Sequence, residues 1–462
     1  MNFAVRTFGL GSCAMALALS AVSANAQAAP ANLLPAEAPA PAQSASAAPV
    51  PAAETAAQPA PPATPLVQQW SPANARALMA VIAGIGAEGL DPADYRPAEL
   101  QAAVNAGAGA TLDQVASRAF TWLVEDLRDG RTPMSARRQW FVVDPDADRM
   151  PTAEVMTRAL TSGDIAGALA MLNPTHPDYA RLKEELATTT DRRRTRLIRA
   201  NMDRWRWLAR DLGNQYLITN VPEYQLRLTV NDKIISTYRT IVGKPGRTAT
   251  PQLAETVEGV IFNPTWTVPQ SIVRGEGLGA RVLGNPAWAR RAGYVGTRGA
   301  NGFVTVVQQP GPGNSLGLMK LDMPNPHAIF LHDTPSRGLF NQANRALSHG
   351  CVRTERAQEL AITLAILGNN AATPEARQAA AAEAARISTS GKYTRVPVER
   401  RMPVYITYFT MAQDINGHLA TFADIYGRDA PVLAALDAPR QENRARRTSE
   451  EAVEIIDDLQ TT

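Results

Sequence analysis

Cysteine is almost absent from this chain, with two residues in 462, Cys13 and Cys351. A scaffold stapled by several disulfides is therefore excluded. Histidine is nearly as scarce, with five residues. An excess of one charge is missing too. The 46 Lys and Arg stand against 43 Asp and Glu, a formal +3. That is too little to coat a nucleic acid, although it says little about a polyanionic wall or membrane surface. No apolar run beyond the N-terminus is long enough to cross a bilayer. What is present is globular in character: hydrophobic residues at 45% and charged residues at 19% supply a sizeable core. At this length, two or three domains are expected.

Arg6 gives a short positive start, Leu10 to Val22 is apolar and small, and Ala24-Asn25-Ala26 offers an A-x-A cleavage site before Gln27. The pattern predicts an export signal over 1–26, with an uncleaved N-terminal anchor as the alternative. Leu10-Gly11-Ser12-Cys13 is only a loose lipobox, placed too early. Residues 27–66 are rich in Ala and Pro and read as a linker, partly polyproline II. At roughly 3.1 Å per residue its full reach is on the order of 100 Å. Removal of the signal leaves Cys351 alone where thiols are oxidised. A lone exported thiol is either an inert buried hydrophobe or a nucleophile, and composition does not choose between them.

Residues 67–213 read as helical. Ser71-Pro72 forms an N-cap with Pro at the first helical position, and Ala77, Leu78, Val81, Ile82 and Ile85 recur at helical spacing. Gly89-Leu90-Asp91-Pro92 breaks that helix. A second apolar stripe runs through Val115, Ala119, Trp122, Leu123 and Leu127, and a third helix is expected from Arg192 to Leu212 with Trp205 in its core. From Gln215 the texture changes. Short runs rich in β-branched and aromatic residues predict strands at Tyr216–Ile218, Tyr224–Val230, Ile234–Val242, Val257–Phe262, Phe303–Val307, Ala328–Leu331 and Val404–Phe409. Helices are expected over Arg356–Leu367 and Pro374–Arg386. The fold class is therefore α+β: a helical domain, then a β-sandwich or barrel-like domain over 214–428 with peripheral helices, and a peripheral tail over 429–462.

Three of the five histidines, His327, His332 and His349, cluster with Cys351. Ser348-His349-Gly350-Cys351-Val352-Arg353 falls between an apolar strand ending at His332 and the following helix. A thiol at such a junction is expected to see the positive end of the helix dipole, and Arg353 and an imidazole are expected to lower its pKa further. A thiolate attacks acyl carbonyls, and the imidazole returns a proton to the leaving amine. Backbone N–H groups around Gly350 and Cys351 are candidates for an oxyanion hole. Zinc is the competing chemistry, but Cys-x-x-Cys and His-x-x-x-His pairs are lacking. His332 and His349 are not separable as the base on sequence grounds. His327 reads as a strand-edge residue, and His176 and His418 as surface. Ser348 and Arg353 fit structural bracing and substrate contact equally.

The stretch from Ile329 to Leu367, with its strand-ending histidine and later Ser-His-Gly-Cys-x-Arg, resembles the active-site region of the L,D-transpeptidases, the YkuD-type catalytic domain. The blocks Asn201–Trp207, Val242-Gly243-Lys244, Asn263–Pro269, Pro310–Asn314 and Tyr405–Tyr408 resemble the YcbB-like subfamily. A departure is that the helical part runs almost directly into Arg192–Leu212, leaving no room for a separate peptidoglycan-binding domain. The resemblance implies a helical scaffold domain over 67–213 and a catalytic domain over 214–428. It implies Cys351 as nucleophile and His332 as base, with Gly350 beside them and His349 as an orienting or substrate-side group. Arg353 and Ser348 are expected towards substrate or bracing, and Asp333 towards substrate, with Asp333 or a backbone carbonyl holding the His332 tautomer. It implies periplasmic cell-wall biogenesis and a role in cell shape, with diaminopimelate-containing stem peptides joined by 3–3 cross-links through a thioester. Neither a metal nor an organic cofactor is implied. Carbapenem-type inhibitors are expected to acylate Cys351, and neither nucleic acid nor a transmembrane domain after signal removal is expected. An L,D-carboxypeptidase or hydrolase, a wall-to-protein transpeptidase, and a wall-binding protein with a dead site are the alternatives. The Gly-rich segment Val273–Gly302 is the candidate flap over the cleft, with a long structured loop as its plainer reading.

Overall fold

The computed structural model describes residues 66–142, 146–231, 233–369 and 373–441. The expected signal, nearly all of the linker and the end of the tail lie outside them. The described residues belong to one compact unit.

The first part is helical, with α1 Pro72–Gly84, α2 Pro97–Ala106, α3 Ala110–Asp129, α4 Asp146–Arg149, α5 Thr152–Ser162, α6 Ile165–Ala170, α7 Pro177–Thr188 and α8 Arg192–Trp205. Ser71 Oγ accepts the Asn74 N–H at 3.1 Å, so α1 begins where its cap predicts. Gly89, at φ 72°, ends the short turn that follows α1. The α3 stripe of Val115, Ala119, Trp122, Leu123 and Leu127 is buried against α1, α5 and α6 in one apolar cluster.

The helix expected to reach Leu212 stops at Trp205. Trp207 N–H turns back to the Arg204 carbonyl at 3.2 Å, tightening the last turn. Leu208 and Leu212 stay buried, but in irregular chain. Asp203 explains the stop. Its buried carboxylate accepts the Arg131 N–H at 2.5 Å, the Thr132 N–H at 3.1 Å and the Trp207 indole N–H at 2.9 Å. Three donors and the nearby Arg206 and Arg137 hold this carboxyl below its usual range against the cost of burial. Arg204 meanwhile pairs with Asp429 at 2.7 Å, and Asn201 accepts the Thr410 N–H at 2.9 Å. The block Asn201–Trp207 is thus a buried joint between helical and β-rich parts. His176, expected at the surface, is half-buried and stacks on Trp205 at 4.2 Å between ring centres. His418 is exposed as expected.

The second part contains β1 Gln215–Asn220, β2 Gln225–Val230, β3 Lys233–Gly243, β4 Leu253–Phe262, β5 Trp266–Thr267, α9 Gln270–Gly275, α10 Leu278–Gly284, α11 Pro286–Arg291, β6 Tyr294–Arg298, β7 Val304–Gln308, β8 Met319–Asp322, β9 Leu331–His332, β10 Ala346–Ser348, β11 Val352–Thr354, α12 Ala357–Gly368, α13 Pro374–Thr389, β12 Thr394–Thr407, β13 Met411–Gln413, β14 Leu419–Thr421 and α14 Asp429–Asp437. The main sheet runs β10-β3-β11-β9-β8-β4-β12-β1-β2, and β2 pairs back onto β3. The strands therefore close on themselves around one core, the barrel-like variant of the expected sandwich. Leu217, Leu228, Val260, Leu321, Leu331 and Val352 point inward, and α12 adds Leu360, Ala361 and Leu364.

The strand expected over Ala328–Leu331 is only Leu331–His332. Ala328 lies at φ 53°, a left-handed conformation that a strand does not accommodate. Asn325 clamps the turn, accepting the Ile329 N–H at 3.1 Å and donating to the Ile329 carbonyl at 2.8 Å. The tail is also less peripheral than expected. Beyond α14, the buried Arg440 side chain reaches Asp126 at 2.9 Å and Glu125 at 2.7 Å on α3.

Between β4 and β8, the segment expected as a flap folds into a small cap. There β5, β7 and β6 form a separate three-stranded sheet, and α9, α10 and α11 pack on it around Val268, Val273, Val282, Ala289 and Val306. The glycines of this segment serve close packing as well as turns. A Cβ on Gly279 would lie 2.8 Å from Val273 Cγ1, and one on Gly296 would lie 2.7 Å from Val282 Cγ1.

Candidate active site

Alternation along short strands sets the site. Met319, Leu321, Leu331 and Val352 enter the core, so Lys320, His332 and Arg353 face outward. Lys320 pairs with His332 across β8 and β9, and His332 with Arg353 across β9 and β11. Cys351, two residues before Arg353, shares that face one step along, a diagonal neighbour of His332. Both line a cleft of about 480 Å³ between the strands and the cap.

The turn that carries the thiol is braced from beneath. Ser348 Oγ donates to the Cys351 carbonyl at 2.6 Å and accepts the Gly350 N–H at 3.2 Å. Thr250 Oγ1 donates to the Gly350 carbonyl at 2.7 Å and accepts the Gly243 N–H at 2.8 Å. Gly350 is at φ 117°, which a side chain rarely tolerates. Ser348, 2% exposed, is therefore a brace. The Gly350 N–H, expected in an oxyanion hole, is already bonded to it.

His332 is 4% exposed, and its Nδ1 lies 2.6 Å from the Asp333 carbonyl. That acceptor fixes the proton on Nδ1 and leaves Nε2 as the basic atom. The Asp333 side chain does not line the cleft. Its Oδ2 accepts the Leu318 N–H at 2.9 Å and pairs with Arg337 at 3.1 Å. Asp333 thus orients the imidazole through its backbone, and the expectation of a substrate contact is corrected.

Two electrostatic expectations are also corrected. Burial pushes the Cys351 thiol up, and the Phe330 N–H, Lys320 and Arg353 only partly oppose this. The helix after the thiol does not help, because β11 intervenes before α12. Burial first, then Arg353, and further Lys320, lower His332 to about 4, against the pull of the Asp333 and Leu316 carbonyls. The imidazole is neutral near pH 7, and the thiol is not paired with an imidazolium. The Cys351 sulfur instead lies 3.6 Å from the Ala328 carbonyl.

His349 points to the rim, where its Nε2 lies 2.8 Å from Glu276 Oε1 of the cap. It ties the cap to the thiol-bearing turn and does not face Cys351 as a base. Trp266, Arg281 and Tyr294 of the cap line the cleft, together with His327. His327, expected at a strand edge, sits in the turn before β9 and stacks on Phe141 at 4.0 Å. Lys320 escaped the sequence reading because Met-Lys-Leu-Asp has no β-branched residue. Its alternation was the available signal. Among the described residues no group of three His, Cys, Asp or Glu gathers as a metal site, and no helix is long and apolar enough to cross a membrane.

A thiol, a neutral imidazole and two cations thus share one sheet face under a cap. The L,D-transpeptidase catalytic domain (YkuD) matches residues 214–398, and the Scaffold domain matches residues 68–186. The chain therefore contains an L,D-transpeptidase catalytic domain and a Scaffold domain, in the YcbB-like arrangement. A protein of Haemophilus influenzae named "Putative L,D-transpeptidase" is 33% identical over 234 residues, covering 47% of this chain and 45% of its own length. The chain thus spans under half of that relative. Among solved structures, an L,D-transpeptidase from Mycobacterium smegmatis is 14% identical over 42% of this chain and 58% of its own, with a TM-score of 0.20. The avibactam carbamoyl form of Ldtfm is 12% identical over 42% and 49%, with a TM-score of 0.21.

Proposed function

We propose that this chain is a peptidoglycan L,D-transpeptidase that joins stem peptides by 3–3 cross-links through a Cys351 thioester. The observation that carries the reading is the placement of Cys351 and His332 on one outward face of paired strands, beside Arg353 and beneath the cap. The Cys351 sulfur attacks the diaminopimelate carbonyl of a tetrapeptide stem, and its proton passes to His332 Nε2. With the Gly350 N–H held by Ser348 Oγ, the Cys351 N–H is the remaining candidate donor to the developing oxyanion. As the C–N bond breaks, the imidazolium, disfavoured by the flanking cations, gives its proton to the departing D-Ala amine. The side-chain amine of a second stem then attacks the thioester, loses a proton to His332, and releases the thiol. Arg353 suits a stem carboxylate, since a guanidinium binds carboxylates through paired donors.

Water in place of the second amine would make the same site an L,D-carboxypeptidase or hydrolase, and a protein lysine would make it a wall-to-protein transferase. The export signal read over 1–26 supports a periplasmic location. Incubation of the purified chain with tetrapeptide muropeptides separates these outcomes. A 3–3 dimer is the expected product. Tripeptide alone, a protein adduct or unchanged substrate would overturn the cross-linking assignment. Carbapenem treatment is expected to leave a mass adduct on Cys351.

A further inference from the structure

The polar row on the outer sheet face is bounded by apolar residues. Ile261 pairs with Lys320 on one side and Ile241 with Arg353 on the other, with His332 between the two cations. Lys320 is half-buried, and its ammonium lies 3.4 Å from the centre of the Phe330 ring. That contact pins a normally mobile side chain against the sheet. The Phe330 N–H is in turn directed at the Cys351 sulfur, so one residue touches both groups. Among the described residues neither Lys320 nor Arg353 forms an ion pair. The nearby Asp322 is engaged by Arg395 at 2.5 Å. Partly desolvated cations without a carboxylate are costly, and the Cys351 sulfur, once ionised, is the anion that these two flank.

We propose that Lys320 is a positioning residue for acyl transfer, whose ammonium, held on Phe330, favours the thiolate of Cys351 and keeps His332 neutral. The proposal rests on the reading of Cys351 as the nucleophile. Lys320 neither gives nor takes a proton. Lys320 stands one strand from His332 and two strands from the turn that carries Cys351, at spacings of about 4.8 Å per strand, so its charge reaches both groups through space. The same field that stabilises the thiolate makes the imidazolium a strong acid, which speeds proton delivery to the leaving amine.

The test is the rate of Cys351 alkylation by iodoacetamide against pH, using the full chain. The titratable and charged groups around the thiol are Lys320 and Asp322 on β8, His332 on β9, Arg353 on β11, His327 in the turn before β9, Arg281 on α10 of the cap, and the Glu276–His349 pair at the rim. Substituting Lys320 alone isolates its share. Lys320→Met should raise the midpoint of the profile by about one pH unit and slow alkylation at pH 7 roughly tenfold. Lys320→Arg should stay within roughly twofold of the unaltered chain, because the charge is kept. A merely structural lysine would move melting temperature and leave the midpoint in place. Lys320→Gln serves as a second neutral variant if the Met variant does not fold. Neutral variants with native melting and an unmoved midpoint would overturn the proposal. Alkylation needs no wall substrate, so the two readings fail separately. A shifted profile without cross-linked product removes the transpeptidase reading, and cross-linked product with an unmoved profile removes only the role of Lys320.

Discussion

Arg353 stands directly opposite His332 in the parallel pairing of β11 with β9. A cation in that position opposes protonation of the imidazole, and it is the largest cause after burial of the lowering of His332 to about 4. Arg353→Met should therefore move the His332 titration up towards the ordinary value near 6.5, by about one unit. Ring-proton NMR across pH 3 to 8 measures it, and an unmoved titration would show that burial and Lys320 set the value without Arg353.

Because neutral His332 is available above about pH 4 and the thiol is pushed above its ordinary value, the deprotonating limb belongs to sulfur. Acylation by a carbapenem should climb with pH from 6 to 9, without a second limb near 6.5. A limb there, lost in His332→Gln, would mean that the imidazole charges in the working enzyme.

The same groups link stability to acid. His332 and His176 both fall to about 4 in the folded chain, against about 6.5 unfolded. Between those values the unfolded chain binds more protons, so stability decreases as pH falls from 6.5 to 4. The share of His332 is on the order of 3 kcal/mol at full shift. Melting temperature should drop across that window and be level from pH 7 to 8 as far as these histidines are concerned. Asp178, raised to about 6 by burial, acts in the opposite direction below that pH, so the His332 share is read from the smaller acid loss of His332→Gln, and an equal loss in that variant would contradict it.

Gly317 is at φ 63°, and a Cβ there would stand 2.4 Å from Asp333 Cγ. Gly317→Ala must displace the carboxylate that accepts the Leu318 N–H, and with it the carbonyl that holds His332 Nδ1. A loss of roughly 2–3 kcal/mol is expected, with slower Cys351 acylation. Unchanged acylation in a destabilised variant would separate the imidazole clamp from the fold.

Asp203→Ala should destabilise by roughly 3 kcal/mol or more, since it strands the Arg131 and Thr132 N–H groups and the Trp207 indole N–H. Thermal unfolding of the two variants Asp203→Ala and Asp203→Asn should rank in that order of damage.

Much of this was legible in the residues. Ser71-Pro72, the α3 stripe and the β1 to β4 runs follow local rules of capping and periodicity, and Cys351 stood out by scarcity. The short strands were harder. β9 is two residues long, and its start is set by a left-handed Ala328 that no propensity announces. The electrostatics were not legible, because burial and cross-strand neighbours decide them. The helix dipole expected to lower the thiol is cut off by β11, and Lys320 comes beside His332 only through the pairing of β8 with β9. Ser348 and Asp333 are polar residues in a catalytic sequence, and only their bonds reveal them as supports.

The cap enters and leaves the sheet at one place, for Phe262 at the end of β4 pairs with Met319 at the start of β8. Its two ends are thus sewn to adjacent threads of the same ladder, and its interior is its own. A lineage of such chains can lengthen, shorten or exchange this cassette without disturbing the register beneath, so the roof of the cleft is free to diverge while the thiol and imidazole on the floor keep their places.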